Sequence, residues 1–151
     1  MPASYGKARG SKGLLSLAEV EGKLTEARNY WIITSGPRNR PHAMPVWGLW
    51  LDHVLVFSTD PKSRKGRNMA RQPEIVAHLE SGDDVVILRG KVERVGAKDP
   101  IWQRIPDLYE RKYKFRPQAS PSSPFYALEP DSILAWTEKD FVNSRTAWRR
   151  A

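Results

Sequence analysis

The chain has 151 residues, with 25 Lys and Arg against 17 Asp and Glu, three His and no Cys. That length suits one domain with a sizeable core. The missing Cys excludes a disulfide framework, a thiolate metal site and a Cys nucleophile, and no apolar run reaches membrane-spanning length. A formal net charge of +8 favours anionic partners: phosphorylated cofactors, acidic substrates, nucleic acid or anionic lipid.

Residues 1–15 are basic and Gly-rich and lack the apolar stretch of a secretory signal, so they read as a flexible tail before a single domain over 16–151. The absence of Cys fits a reducing, cytoplasmic setting. Ser16 and Glu19 have capping-box spacing ahead of Val20, Leu24 and Ala27, which predicts a helix over 17–28. The aromatic and β-branched run Tyr30-Trp31-Ile32-Ile33-Thr34 predicts a strand. Gly, Pro and Asn over 36–40 predict a hairpin turn. A long strand over 41–51 follows, then the polar pair Asp52-His53, then a buried strand, Val54-Leu55-Val56-Phe57. Beyond a basic helix come strands over 74–79 and 84–95. In the latter, Val86, Leu88 and Val92 alternate with Arg89, Lys91 and Glu93, so one face is wet. Residues 99–115 carry a helical stripe of Ile101, Ile105, Leu108 and Tyr109. Pro and Ser make 116–124 a loop, short strands follow over 125–128 and 133–137, and the chain ends on a basic segment over 140–151. Strands joined by short turns, with one helix between the third and fourth, predict an antiparallel barrel, mainly β with helices, rather than a parallel α/β sheet.

The strand over 41–51 is apolar on both faces. His42, Met44, Val46, Gly48 and Trp50 line one, and Ala43, Pro45, Trp47, Leu49 and Leu51 the other. One face suits the barrel interior, and the other calls for a helix, a second subunit or a bound ring system. Pro45 cannot donate to a ladder, so pairing there is interrupted or bulged, leaving backbone groups free for a heteroaromatic ligand. A plain core strand with an edge proline is the alternative reading.

The densest chemistry lies in Phe57-Ser58-Thr59-Asp60-Pro61-Lys62-Ser63-Arg64-Lys65-Gly66-Arg67-Asn68. Asp60 suits an N-cap and Pro61 the first helical position. Lys62, Arg64, Lys65 and Arg67 then crowd the first turns. A helix N-terminus already carries free N–H groups and partial positive charge, so cations there are misplaced unless an anion joins them. The run therefore reads as a phosphate cradle, with a solvated basic helix as the alternative. His42, His53 and His78 show no paired metal spacing, and no metal site is expected. His53 falls in a turn and His78 in a strand. His42 is the one histidine near the proposed ring site.

Four segments then carry a resemblance. They are Pro41-His42-Ala43-Met44-Pro45-Val46-Trp47, Phe57-Ser58-Thr59, Ser63-Arg64-Lys65-Gly66-Arg67-Asn68-Met69 and Leu88-Arg89-Gly90-Lys91-Val92. In order and spacing they resemble the pyridoxamine 5′-phosphate oxidase-like split β-barrel superfamily, and within it the flavin/deazaflavin oxidoreductase branch. Lys112-Tyr113-Lys114-Phe115 and Trp136 are similar to that branch as well. The resemblance covers roughly 17–148. Where the branch often ends in Thr-Arg-Trp, this chain has Thr146-Ala147-Trp148, so Arg145 or Arg149 would have to replace the missing arginine.

The resemblance implies an FMN-binding type of split barrel and a homodimer holding FMN or the deazaflavin coenzyme F-420 between subunits. It implies that Pro45, Val46 and Trp47 lie along the ring system through backbone contacts. It likewise implies that Thr59, Ser63, Lys65 and Asn68 surround the phosphate, with Arg64 or Arg67 adding charge. Trp148 is expected to cover the ring, and His42 and Arg149 to meet substrate or an anionic tail. The F-420 tail carries phosphate and carboxylates, so the excess of Arg and Lys leans toward F-420. The function expected is hydride transfer between that cofactor and a small organic substrate, no catalytic side chain being legible. A non-catalytic flavin-binding or carrier barrel shares every one of these features. A nucleic-acid binder is disfavoured, because the densest basic run has no interleaved aromatics to stack on bases.

Overall fold

The computed structural model describes residues 5–6, 15–118 and 120–150, so the basic tail expected over 1–15 lies largely outside the described residues. Within it, Tyr5–Gly6 (β1) pairs with Arg149 and Arg150, and Leu15 packs against the core. The capping box forms as the spacing predicts. Ser16 Oγ accepts from the Glu19 N–H at 3.1 Å, and the Glu19 carboxylate accepts from the Ser16 N–H at 2.8 Å. Helix α1 (Leu17–Glu26) then buries Val20 and Leu24, one turn apart.

The remaining elements are β2 (Tyr30–Ser35), β3 (Pro41–Val46), β4 (Gly48–Leu51), β5 (Val54–Ser58), α2 (Arg64–Arg71), β6 (Glu74–His78), β7 (Asp84–Arg94), α3 (Ile105–Tyr113), β8 (Phe125–Thr137), α4 (Phe141–Ser144) and β9 (Thr146–Arg150). The strands run β1-β9-β8-β7-β6-β2-β3, every neighbouring pair antiparallel. Strand β8 is the branch point. One edge pairs with β7 along its length. On the other edge its first half meets β5 (Leu55 opposite Leu128) and its second half meets β9 (Ile133 opposite Trp148). The sheet thus curls and divides into a split antiparallel half-barrel with helices against it, the fold class expected from the sequence.

The barrel interior is filled by Val20, Leu24, Ile32, Leu55, Phe57, Leu88, Leu128 and Ile133, all at 1% exposure or less. Ile105, Tyr109 and Tyr113 of α3 pack on the outer side of β4 and β5 against Leu49, Val56 and Phe125. Strand β5 is therefore covered on both faces, which explains its unbroken apolar run. Asp52 and His53 are both left-handed, at φ 51° and 63°, as a two-residue hairpin between Leu51 and Val54 requires.

Three expectations are corrected. The long strand over 41–51 breaks at Trp47, because β3 pairs with β2 while β4 turns to pair with β5. The two strands expected over 125–128 and 133–137 are one continuous strand with a register shift opposite Arg89 and Gly90. The helix expected over 99–115 begins as a 3-10 turn, Pro100–Arg104, capped by Asp99, before α3 starts.

Candidate functional site

The end of β5 delivers the chain into the start of α2. The N-cap is Ser63 rather than Asp60, and Pro61 lies in the turn before the helix. Asp60 instead turns the chain, its carboxylate accepting from the Lys62 N–H at 2.8 Å. Ser63 Oγ donates to the Asp60 carbonyl at 2.6 Å and accepts from the Gly66 N–H at 3.0 Å. Its single proton is thereby used, so the Thr59 hydroxyl is the donor in the 3.2 Å contact between Thr59 and Ser63. A Cβ on Gly66 would stand 2.7 Å from Pro61 Cα and run into the Asp60 carbonyl oxygen. The turn therefore folds onto the first turn of α2 only with glycine there. Gly66→Ala should lower stability by about 1–3 kcal/mol, the scale of overpacking at a tight contact, and chemical denaturation should show it as an earlier midpoint.

On this frame Lys65 is buried at 9% exposure and Asn68 at 2%, while Arg64 and Arg67 are exposed. No described acid pairs with Lys65, and burial lowers its ammonium below the ordinary lysine range. Asn68 Nδ2 donates to Thr34 Oγ1 on β2 at 3.0 Å. His42 on β3 lies directly opposite Thr34 and so shares its face. The His42 Nδ1 atom is buried without a hydrogen-bond partner. Thr59, Ser63, Lys65 and Asn68 are thus gathered at one helix start, and a polar track through Thr34 extends to His42.

Strand β3 ends the sheet order. Pro45 and Trp47 are exposed and Val46 is half-buried. Trp47 stacks on Tyr113 with centroids 4.5 Å apart, and the Arg28 guanidinium stands 5.1 Å from the Trp47 centroid. The joint after Trp47 is held by α3. The Gly48 N–H donates to the Tyr113 hydroxyl at 2.9 Å, and Lys112 Nζ donates to the Gly48 carbonyl at 3.0 Å and to the Tyr30 hydroxyl at 2.8 Å. A Cβ at Gly48 would lie 2.8 Å from the Val56 carbonyl oxygen, so the close approach needs glycine. Lys112 and Tyr113 are the site's support, and the sequence reading reached them only as part of a family resemblance. Aromatic residues four apart, Tyr109 and Tyr113, were the available signal.

Burial pushes Lys112 down to about 8 and holds the Tyr30 hydroxyl far above the ordinary tyrosine range. Between about pH 8 and the unfolded lysine value near 10.4, the unfolded chain binds more protons than the native one. Stability contributed by Lys112 therefore rises with pH across that window. Lys112→Met should flatten the rise, seen by comparing urea midpoints of both proteins from neutral pH upward.

Two expected site residues lie elsewhere. Trp148 is 3% exposed within the core on β9, and Arg149 is exposed opposite Ser132. His53 pairs with Glu21 of α1, and His78 stacks on Trp31 with its Nδ1 2.7 Å from the Leu79 carbonyl.

The family model described as Pyridoxamine 5′-phosphate oxidase matches residues 17–137. The chain belongs to that family. Solved structures share the fold at low identity. A conserved hypothetical protein of Mycobacterium tuberculosis is 21% identical with a TM-score of 0.69, over 87% of this chain and 91% of that one. A pyridoxamine 5′-phosphate oxidase-related, FMN-binding protein of Nostoc punctiforme is 17% identical with a TM-score of 0.64, over 87% and 85%. An F420 reductase is 23% identical with a TM-score of 0.56, over 74% and 93%. No curated protein matches. No described helix is long and apolar enough to cross a membrane.

Proposed function

We propose that this protein binds FMN or F-420 as a homodimer and transfers hydride between that cofactor and a small organic substrate. The observation that carries the reading is Lys65: a buried ammonium without a described acid, at the start of α2, beside Thr59 and Ser63. A bound phosphate supplies the missing anion, with charge-assisted hydrogen bonds stronger than neutral ones. The orphaned Nδ1 of His42 is a second unsatisfied group facing the same track, suited to a polar ligand atom.

The residues fit the cofactor class. Lys65, Thr59, Ser63 and the free N–H groups of the first helical turn would hold the phosphate, with Arg64 and Arg67 at its rim. Asn68 would steady the wall through Thr34. Pro45, Val46 and Trp47 would flank the ring, on a strand kept in place by Lys112 and Tyr113. His42 would orient ligand on that strand. When bound, the cofactor supplies the hydride chemistry. Exposed Arg64 and Arg67 favour the more anionic F-420.

Assembly follows from the outer sheet face. Register aligns Pro45, Trp31, His78, Ile87, Leu134 and Ala147 across β3, β2, β6, β7, β8 and β9. These residues are half-buried or exposed, so a second copy would cover an apolar band. Light scattering should give twice the 17.2 kDa chain mass, and a 17.2 kDa particle would refute the dimer.

The test of the cofactor reading is titration of purified protein with FMN and with F-420, followed by absorbance. Saturable binding of either, with bleaching and onward transfer of the hydride to an acceptor, is expected. Binding without transfer would leave a carrier, and binding of neither would overturn the proposal.

A further inference from the structure

A pocket of about 620 Å³ opens against Tyr109, Phe115 and Phe125. Its walls are rings. Phe115 lies 6.5 Å from Tyr109 and Phe125 lies 5.8 Å from it, both edge-on. Phe115 is 59% exposed, so its ring is open to a ligand entering the pocket. Lys114, left-handed at φ 59°, ends α3 and turns the chain so that Phe115 reaches this wall.

The rim is mostly polar. Ser58, Gln118, Ser120 and Ser123 line it. Ser58 Oγ already donates to the Pro124 carbonyl at 3.0 Å. Among the described residues the side chains of Gln118 and Ser123 make no hydrogen bond, so both are available to a ligand. Among the described residues the one charged lining side chain is Arg116, and two carboxylates pair with it. Its Nη1 donates to Asp107 at 2.7 Å and Glu110 at 2.8 Å. Burial pushes Tyr109 up to about 12, so that wall stays neutral too. The volume is in the range of small-molecule sites.

We propose that this pocket is a binding site for an uncharged aromatic molecule bearing a hydroxyl or carbonyl group, its ring laid against Phe115, Tyr109 and Phe125 and its polar atom met by Gln118 or Ser123. The absence of a free cation separates it from the cradle at α2, which selects anions. The two sites are one residue apart in sequence, Ser58 lining one and Thr59 the other. Occupants of both would lie on opposite sides of the end of β5. The inference stands without the cofactor reading, because the pocket is built from residues outside the cradle.

The probe is 2-naphthol, with 2-naphthalenesulfonate as its anionic counterpart, titrated by calorimetry into protein without added cofactor and again with FMN present. Naphthol should bind, the sulfonate should bind about tenfold more weakly or not at all, and FMN should leave naphthol affinity unchanged. Phe115→Ser should cost about tenfold in naphthol affinity. Saturation-transfer and chemical-shift mapping on the unaltered protein should place naphthol protons at Tyr109, Phe115 and Phe125, a readout independent of the variant's folding. No naphthol binding, tighter binding of the sulfonate, or shifts confined to residues 59–68 would overturn the proposal. So would a Phe115→Ser protein that changes from dimer to monomer while the parent binds no naphthol, since a second copy would then fill the pocket. Shifts confined to residues 59–68, or tighter binding of the sulfonate, would instead put the probe in the cradle at α2, whereas absence of naphthol binding leaves cofactor binding there untouched.

Discussion

Trp148→Ala should lower stability by about 3–5 kcal/mol, the scale for removing a large aromatic from a packed core. The residue stands opposite Ile133 on β8 and contacts the main cluster at 3% exposure. Total stability for a domain of this kind is about 5–15 kcal/mol, so this change alone consumes much of the margin. A melting temperature lower by roughly 6–20 °C is the corresponding shift. Removing 144–151 should do more. It deletes β9, leaves the second half of β8 paired on one edge only, with β7, and removes the Thr146 hydroxyl that accepts from the Leu15 N–H at 3.2 Å. It also removes Ser144 Oγ, which accepts from the Thr137 N–H at 2.9 Å. The truncated chain should therefore lose cooperative melting rather than simply bind ligand less well. A truncation that melts like the full chain would show that β9 contributes no stability and that Trp148 is free for a role at the ligand.

That outcome bears on what the sequence made legible. Local signals were reliable where one pair of residues settles the geometry. The Ser16 and Glu19 capping box is one case, and the Asp52-His53 hairpin is another. The grouping of Thr59, Ser63, Lys65 and Asn68 at one helix start was legible because these residues sit within ten positions of one another, and a strand-to-helix turn needs no distant information. The N-cap of α2 was misplaced because Asp60 and Ser63 are both capping types. Ser63 takes the cap once Asp60 is committed to the Lys62 N–H and Gly66 packs on Pro61. The break at Trp47 was not legible. An apolar run of one character hides a change of partner, and that change depends on α3 residues some 65 positions away. Trp148, expected over the ring on the family resemblance, is instead buried in the core. Thr146 and Trp148 alternate with Ala147 and Arg149 in a short strand pattern that five residues at a basic chain end leave easy to miss.

The largest functional effect should come from Lys65→Met. Methionine keeps most of the length and apolar bulk of the side chain while removing the ammonium. In the protein without ligand, Lys65 is a charge held out of water with no described acid beside it, which is why its ammonium is lowered. Removing that charge should leave the unliganded protein as stable as before or more stable, and its circular dichroism unchanged. Cofactor binding should move the opposite way. A charge-assisted hydrogen bond to phosphate is worth about 1.5–3 kcal/mol, so affinity for FMN or F-420 should fall roughly 10- to 150-fold. Opposite signs are what separate a ligand-binding lysine from a structural one. A structural lysine would lower stability and affinity together, whereas a solvated surface lysine would change neither. Lys65→Arg should recover part of the affinity, because a guanidinium restores the charge without matching the confined space around Nζ. Calorimetric titration and thermal melting of the three proteins, side by side, decide the matter. Unchanged affinity for both cofactors in Lys65→Met would remove this residue from the site and, with it, the main support for a phosphate at the start of α2.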